Sequence, residues 1–333
     1  MIILGIETSC DETSASIINN NKLISSIVYT HQIHKKYGGV VPELASQEHL
    51  NEIIDVIEAS LSESKLKIKD IDGIAVTYGP GLMGSLLIGL NFAKAMSLSL
   101  DIPFLGINHL EGHLYSNYIE NDNILFPHLC LLVSGGHTQL WLVNNYDDFN
   151  LLGETIDDAA GEAFDKGARI LGLDYPGGPE IDKVSKNGDF NFVKFPRPKV
   201  KNKPYNFSFS GLKTALLYHF KNLNRTVLDE NDTANIAASY QEAIIDTLFT
   251  GISNVISNHK NIKQIYISGG VASNSRFRQK SKAFEAELDI SVIFPKLQYC
   301  TDNAAMIAMA GYHKIINGKK SLYDISPVPN LKL

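Results

Sequence analysis

The sequence predicts a two-lobed α/β protein in which one supersecondary plan is used twice. Three short strands joined by small polar turns open the chain, and a second set of three begins at Leu129. Each set is followed by helices alternating with strands, the pattern of mixed sheets covered by helices. With 333 residues, 44% of them apolar, the chain is long enough for two cores.

The elements follow in order. Ile2 to Glu7 is a buried strand, and Thr8-Ser-Cys-Asp11 is a small polar turn. A second strand lies near Ser14 to Ile18, an Asn19-Asn-Asn21 turn follows, and a third strand lies near Leu23 to Tyr29. Leu50, Ile53, Ile54, Ile57 and Leu61 fall at helical spacing behind Pro42, a residue suited to a first helical turn. Strand Ile71 to Val76 leads through Gly79-Pro-Gly81 into a helix from Leu82 to Leu98, apolar on most sides and so expected to be buried. A short strand, Ile102 to Ile107, precedes His109.

The plan then repeats: strand Leu129 to Val133, turn Ser134-Gly-Gly136, strand Thr138 to Val143, a turn at Asn144-Asn145, and a strand near Leu151 to Thr155. Ile244, Ile245, Leu248, Phe249, Ile252 and Ile256 mark a long amphipathic helix. Strand Gln264 to Ser268 meets Gly269-Gly270 and a helix from about Ser273, and a last helix runs from Asp302 to Ile316 before Asn317-Gly318. The expected lobes are 1–118, with part of the last helix packing back onto it, and 127–333. A polar boundary (119–126) and a cleft separate them, and the second lobe carries inserted helices and an exposed basic loop at 190–204.

Composition excludes several classes. The net charge of −6 does not advertise a nucleic-acid binder, so such a partner needs a local basic patch or help from other subunits. Cys10, Cys130 and Cys300 are few and scattered, which fits a reducing compartment and neither a disulfide framework nor a Cys-based zinc site. A strand begins at once. With no basic leader, no Arg-rich transit segment and no run of about eighteen apolar residues, the expectation is a cytoplasmic protein without membrane association.

His109-Leu-Glu-Gly-His113 places two imidazoles one helical turn apart, where they can grip one cation or be two unrelated helix histidines. Glu111 is turned roughly 200° from the first His, so it is misplaced for the zinc-protease pattern, in which it would sit beside a metal-bound water. Asp302, in Thr301-Asp-Asn303, is either a helix cap or the third ligand of a two-His site. Ser134-Gly-Gly136 and Ser268-Gly-Gly270 each end a strand and can aim amide N–H groups at phosphate oxygens. Asn274 is an N-cap or a ligand contact. Asp182, after Gly177-Gly178-Pro179, complements a helix dipole or binds ribose hydroxyls. Asp11 and Glu12 are a solvated turn or a proton-handling pair. Lys194, Arg197, Lys199, Lys201 and Lys203 form either a solvated loop or a phosphate contact.

These motifs resemble the TsaD (YgjD) family of tRNA N6-adenosine threonylcarbamoyltransferases, once called glycoproteases. The resemblance runs in order through Gly5-Ile-Glu-Thr-Ser-Cys-Asp-Glu-Thr13, Pro42-Glu-Leu-Ala-Ser-Gln-Glu-His49, Gly79-Pro-Gly-Leu-Met-Gly-Ser-Leu86 and Asn108-His-Leu-Glu-Gly-His113. It continues in Leu132-Val-Ser-Gly-Gly-His-Thr138, Asp157-Asp-Ala-Ala-Gly-Glu-Ala-Phe-Asp-Lys166 and Tyr175-Pro-Gly-Gly-Pro179. Phe207-Ser-Phe-Ser-Gly-Leu-Lys213, Ser268-Gly-Gly-Val-Ala-Ser-Asn274 and Thr301-Asp-Asn-Ala-Ala305 complete it.

The resemblance implies the actin/Hsp70/sugar-kinase (ASKHA) fold. It implies metal ligands at His109, His113 and Asp302, and substrate contacts at Leu132, Val133, Ser134, Gly135, Gly136, Asp165, Gly178, Asp182 and Asn274. It also implies transfer of a threonylcarbamoyl group from threonylcarbamoyl-adenylate to N6 of adenosine 37 of tRNA, with TsaB-like and TsaE-like partner subunits. Two His and a carboxylate suit Fe(II), with Zn(II) as the alternative. The competing readings are a small-molecule kinase of the same fold, which has no use for the two histidines, a metalloprotease, disfavoured by Glu111, and a non-catalytic scaffold, which has no need of the His-His-Asp set.

Overall fold

Two five-stranded sheets carry the chain, and both use one strand order. The computed structural model describes residues 1–223 and 228–333. These form two compact units, Met1–Ile124 with Thr301–Leu333, and Leu125–Cys300.

In the first unit, β1 (Ile2–Glu7), β2 (Glu12–Asn19) and β3 (Lys22–Thr30) form an antiparallel meander. β4 (Gly73–Gly79) and β5 (Phe104–Asn108) add in parallel, giving the order β3-β2-β1-β4-β5. β1 is central and buried on both faces, which is why Ile3, Leu4 and Ile6 read as an unbroken apolar run. The helix α1 (Pro42–Ser64) begins on its proline and ends at Lys65 in the left-handed conformation.

The next helix, α2 (Met83–Leu100), packs on β4 and α1 and buries Leu86, Leu90 and Ala93. By length and composition alone it is apolar enough to cross a membrane, a test that core helices also pass, and Asn91 and Lys94 interrupt its apolar run. Its apolar residues serve the core of this unit. α3 (His109–Tyr115) follows β5 directly.

The second unit repeats the plan. β6 (His128–Val133), β7 (Thr138–Asn145) and β8 (Asp148–Glu154) form a meander, and β9 (Gln264–Ser268) and β10 (Ser291–Ile293) pair in parallel beyond β6. The order is again meander edge, middle, centre, then two parallel strands. Between β8 and β9 come α4 (Ala160–Leu171), α5 (Gly177–Val184), α6 (Ser210–Asn222) and α7 (Glu230–Asn258). α7 supplies Ala237, Tyr240, Ile244, Leu248 and Ile252 to the core, so the periodic apolar positions lie on a helix that is mostly buried. α8 (Ser275–Leu288) lies between β9 and β10. Residues 190–204 contain neither helix nor strand.

The last helix departs from the expected lobes. α9 (Ala304–Ile315) packs on β1, β2, β4 and α3, and the whole of Thr301–Leu333 belongs to the first unit. The assignment of 127–333 to one lobe is therefore corrected: the chain leaves the second unit at Cys300. Beyond α9 it runs back along the first unit, with Ser321 N–H donating to the Phe104 carbonyl (2.8 Å) and Val328 N–H to that of Tyr78 (2.8 Å). The helix sits close to the sheet because glycines face it. A methyl group built on Gly5 would overlap the Ala304 carbonyl and Ala308, and one on Gly311 would overlap the Ala75 methyl.

Two effects oppose each other in Gly311→Ala. Helix propensity favours alanine by about 1 kcal/mol, and overpacking against Ala75 costs about 1–3 kcal/mol. Because the overlap is with a strand residue of the sheet, the cost should win. We expect a lower thermal midpoint, restored when Gly311→Ala is combined with Ala75→Gly. A midpoint that rises in the single variant would show that the helix is free to move off the sheet.

Candidate functional site

The first cluster is built where β5 passes into α3. Asn108 caps the helix, its side chain accepting from Leu110 N–H at 2.9 Å, so His109 and His113 fall one turn apart on one face. Their ring centroids are 4.8 Å apart. Both Nε2 atoms face Asp302 Oδ1, at 3.5 Å from His109 and 3.1 Å from His113. Asp302 reaches them from 189 residues beyond His113 because α9 packs against α3. It is not the cap of the last helix, as a reading from Asp302 to Ile316 implies. That role belongs to Asn303, whose side chain accepts from Met306 N–H at 3.1 Å, leaving Asp302 for the histidines.

The three ligand atoms lie within 4.8 Å of one another. Atoms bound at ~2.0–2.2 Å to one ion stand roughly 3–4 Å apart, so the donor set fits a cation with little adjustment. His109 is prepared for this by Glu7, a residue that sequence reasoning passed over. Glu7 is wholly buried at the end of β1, and its Oε2 accepts from His109 Nδ1 (3.1 Å) and from the Thr77 hydroxyl (2.6 Å), while Oε1 accepts from Ser9 N–H (2.5 Å). A proton held on Nδ1 leaves Nε2 to face Asp302, the arrangement of a carboxylate–histidine–metal triad. The signal in the sequence was a lone carboxylate closing an apolar strand, because a buried charge demands a partner. Glu111 faces elsewhere, as its spacing predicts, and pairs with Lys314 at 2.6 Å.

Charge in this cluster is strongly redistributed. Burial disfavours the His109 imidazolium, yet Asp302 and Glu7 overcome this and hold it well above the ordinary histidine range. Asp302 shows the converse: burial pushes it up, and His109 and His113 pull it well below the usual carboxylate range. Glu12 is pushed well above that range by burial and by the negative charges of Asp302 and Asp11. The turn carrying Asp11 and Glu12 thus lies in the field of the cluster.

The second group belongs to Leu125–Cys300. β6 and β9 are parallel neighbours with Leu132 opposite Ser268, so the two Ser-Gly-Gly turns end adjacent strands. Ser134 N–H donates to the His137 carbonyl (2.8 Å) and its hydroxyl accepts from His137 N–H (3.1 Å), closing the first turn. Gly269, at φ 88°, passes so close to the Val133 carbonyl that no side chain fits there, whereas Gly135, Gly136 and Gly270 border open space. Leu132 and Val133 are fully buried strand residues, so their side chains serve the core.

Asp165 accepts from Gly177 N–H at 2.8 Å and so shapes the Gly177-Gly178 turn. Asp182 accepts from the Ser275 hydroxyl (2.8 Å) and N–H (3.2 Å), which joins α5 to the start of α8. Asn274 is the N-cap of α8, accepting from Phe277 N–H at 2.9 Å and donating to Gln241 at 2.6 Å. These three polar residues are therefore engaged in building the floor beside the glycine turns. A carboxylate has about four acceptor sites, so Asp182 keeps capacity for a further donor.

The chain is 50% identical over 334 residues to the tRNA N6-adenosine threonylcarbamoyltransferase of Thermosipho africanus (strain TCF52B), covering 100% of both. It is 47% identical to that of Clostridioides difficile (strain 630), covering 100% of this chain and 98% of the relative. Among solved structures, HypF from T. kodakarensis shares the fold at a TM-score of 0.62 and 15% identity, covering 95% of this chain and 48% of its own. The Acidaminococcus fermentans (R)-2-hydroxyglutaryl-CoA dehydratase component A does so at 0.56 and 14%, covering 95% and 99%. The duplicated sheets are thus those of the ASKHA fold. A family model described as "TsaD: tRNA N6-adenosine threonylcarbamoyltransferase" matches residues 22–309. A His-His-Asp cluster in a chain half identical to such enzymes over its full length places this protein in the TsaD family of tRNA-modifying transferases.

Proposed function

We propose that this protein transfers the threonylcarbamoyl group of threonylcarbamoyl-adenylate to N6 of adenosine 37, in tRNAs that read codons beginning with A, and releases AMP. The observation that carries the reading is the cluster of His109, His113 and Asp302 in a chain of this family. The same three residues count against a kinase of the same fold, which has no use for paired histidines, and against a scaffold. Glu111, tied to Lys314, counts against a protease.

The donor is a mixed anhydride of a carbamic acid and AMP. N6 attacks its carbonyl carbon, the new C–N bond forms, the C–O bond to the phosphate breaks, and one proton leaves N6. A divalent cation held by His109, His113 and Asp302, Fe(II) by preference and Zn(II) as the alternative, would supply Lewis-acid stabilisation of oxygen charge. Glu7 orients His109 for that role. The amides of Gly135, Gly136 and Gly270 hold the adenylate through its phosphate, and Asp182 receives ribose hydroxyls. Leu132, Val133, Ser134, Asp165, Gly178 and Asn274 shape the turns around it. Asp11 and Glu12 align the amine and take its proton.

For tRNA, the loop at 190–204 contributes less than its composition suggests. Arg197 is bound to Asp246 through Nε and Nη2 (3.0 and 2.8 Å) and to the Phe195 carbonyl, so it anchors the loop. Lys194, Lys199, Lys201 and Lys203 are exposed and remain as phosphate contacts. TsaB-like and TsaE-like subunits are the partners the family assignment supports, and the cytoplasm is the compartment in which tRNA would be met.

Three outcomes are expected. In a reaction reconstituted with synthetic donor, unmodified tRNA and partner subunits, His109→Ala should lose bound metal and about 10²-fold or more of transfer. Nucleoside mass spectrometry and metal analysis read both, and full transfer with no metal bound would defeat the assignment. Metal binding should release roughly one proton and weaken as pH falls. The sign follows because Asp302 and Glu7 keep His109 protonated to higher pH, and that proton must leave Nε2 before a cation binds. Zinc titration calorimetry in buffers of different ionisation enthalpy measures it. Finally, Lys199→Glu with Lys201→Glu should weaken tRNA binding and flatten its salt dependence by about 0.7–0.9 per lost contact. Arg197→Ala should chiefly lower stability. An unchanged salt slope in the lysine variant would remove the loop from the tRNA surface.

A further inference from the structure

A second group of histidines lies on the other side of the β1–β2 turn. His31, His34 and His49 are each at most 2% exposed, and Thr13 between them is 1% exposed. His31 and His49 both approach the Thr13 hydroxyl, His31 with Nε2 at 2.9 Å and His49 with Nδ1 at 2.7 Å. His49 Nε2 lies 3.0 Å from the Cys10 carbonyl.

The directions of these bonds follow from elementary chemistry. A carbonyl only accepts, so His49 Nε2 carries a proton and donates to Cys10. Burial disfavours the charged form of His49, so its Nδ1 is a lone pair and accepts the Thr13 hydroxyl proton. That hydroxyl has no second proton, so His31 Nε2–H donates to it. Burial takes His31 down to about 3, so its Nδ1 is also a bare lone pair. The bonds form one directed chain: His31 to Thr13 to His49 to Cys10.

The chain ends at the turn that presents the candidate proton-handling pair. The Cys10 carbonyl is held by His49, and the next carbonyl, that of Asp11, is held by His31 backbone N–H at 2.9 Å. Two consecutive carbonyls are therefore fixed from α1 and from the end of β3, immediately before Glu12. On the far side, Val41 N–H donates to His34 Nδ1 at 3.4 Å, which leaves the His34 proton on Nε2. Among the described residues, His31 Nδ1 and His34 Nε2 are both buried without a partner, one an acceptor and one a donor, on rings 5.7 Å apart. The device thus ends in a complementary pair at the segment leading into α1.

We propose that His49 is a positioning residue for the transfer reaction, acting through Thr13 and the Cys10 carbonyl to fix the turn that carries Asp11 and Glu12. This rests on the reading that those two carboxylates act at N6. Groups that work in the transition state lower kcat when they are displaced and leave ground-state binding of the donor intact. Among the described contacts His109, His113 and Asp302 bond none of His31, Thr13, His49 and Cys10, so bound metal is a separate readout.

The test uses the reconstituted reaction. His49→Leu is expected to lower kcat by about tenfold or more while KM for threonylcarbamoyl-adenylate and bound metal stay at wild-type values. Thr13→Val, which keeps shape and removes the hydroxyl, should behave alike, and Thr13→Ser, which keeps the hydroxyl, should restore kcat. In an Asp11→Ala/Glu12→Ala background, His49→Leu should cost nothing further, because the groups it positions are gone. A raised KM with unchanged kcat would overturn the inference, as would equal losses in Thr13→Ser and Thr13→Val, which would mark a packing role alone. If the double carboxylate variant keeps wild-type kcat, the assignment of Asp11 and Glu12 fails first. If that variant is impaired and His49→Leu is not, only the positioning role fails.

Discussion

The close approach of α9 to the first sheet is the constraint on which the rest depends. Gly5 and Gly311 remove the side chains that would hold the helix off β1 and β4, and Ala75, Ala304 and Ala308 keep the remaining contacts small. A helix seated this deeply delivers Asp302, just before its N-terminus, to two histidines far earlier in the chain. Asn303 then takes the capping duty that would otherwise occupy the carboxylate. The metal cluster is therefore a product of sheet–helix packing, and its precision is inherited from the small residues beneath it.

Electrostatics explains why the cluster is suited to a cation. Two buried carboxylates, Glu7 and Asp302, flank His109 from its two ring nitrogens. Such an arrangement is costly unless positive charge lies between them. Without a metal the His109 proton supplies that charge, which is why the imidazole holds it well above the ordinary range. A divalent cation held by His109, His113 and Asp302 would answer the same demand more fully. The site thus carries a charge deficit that a proton satisfies in part.

What was legible in the sequence divides along physical lines. The duplicated plan, the paired histidines and the two Ser-Gly-Gly turns are local patterns, set by spacing and by glycine, and the structure places each in an element close to its expected bounds. Glu111 turning away needed only the helical period. Glu7 was not singled out, because one carboxylate in an apolar strand says that a partner exists and not which one. The hydrogen-bonded chain through Thr13 was equally hidden: His31 and His49 lie on opposite sides of a turn and a helix start, and only pairing of β2 with β3 under α1 brings them to one hydroxyl. The return of residues 301–333 to the first unit was also beyond local pattern, since it depends on which sheet offers a glycine-lined face.

The duplication makes the division of labour intelligible. The β1–β2 turn, Thr8-Ser-Cys-Asp11, and the β6–β7 turn, Ser134-Gly-Gly-His137, occupy equivalent places in the two sheets. The first carries carboxyl, hydroxyl and thiol side chains and is braced from behind by His31 and His49. The second carries two glycines between Ser134 and His137, and a methyl group built on either would meet open space. One turn thus keeps ionisable side chains on a backbone held from behind. Its counterpart has no side chain at its tip, where glycine at a strand end permits close approach of the backbone. One supersecondary plan thus supports two turns of different chemistry, each set by the residues placed on it.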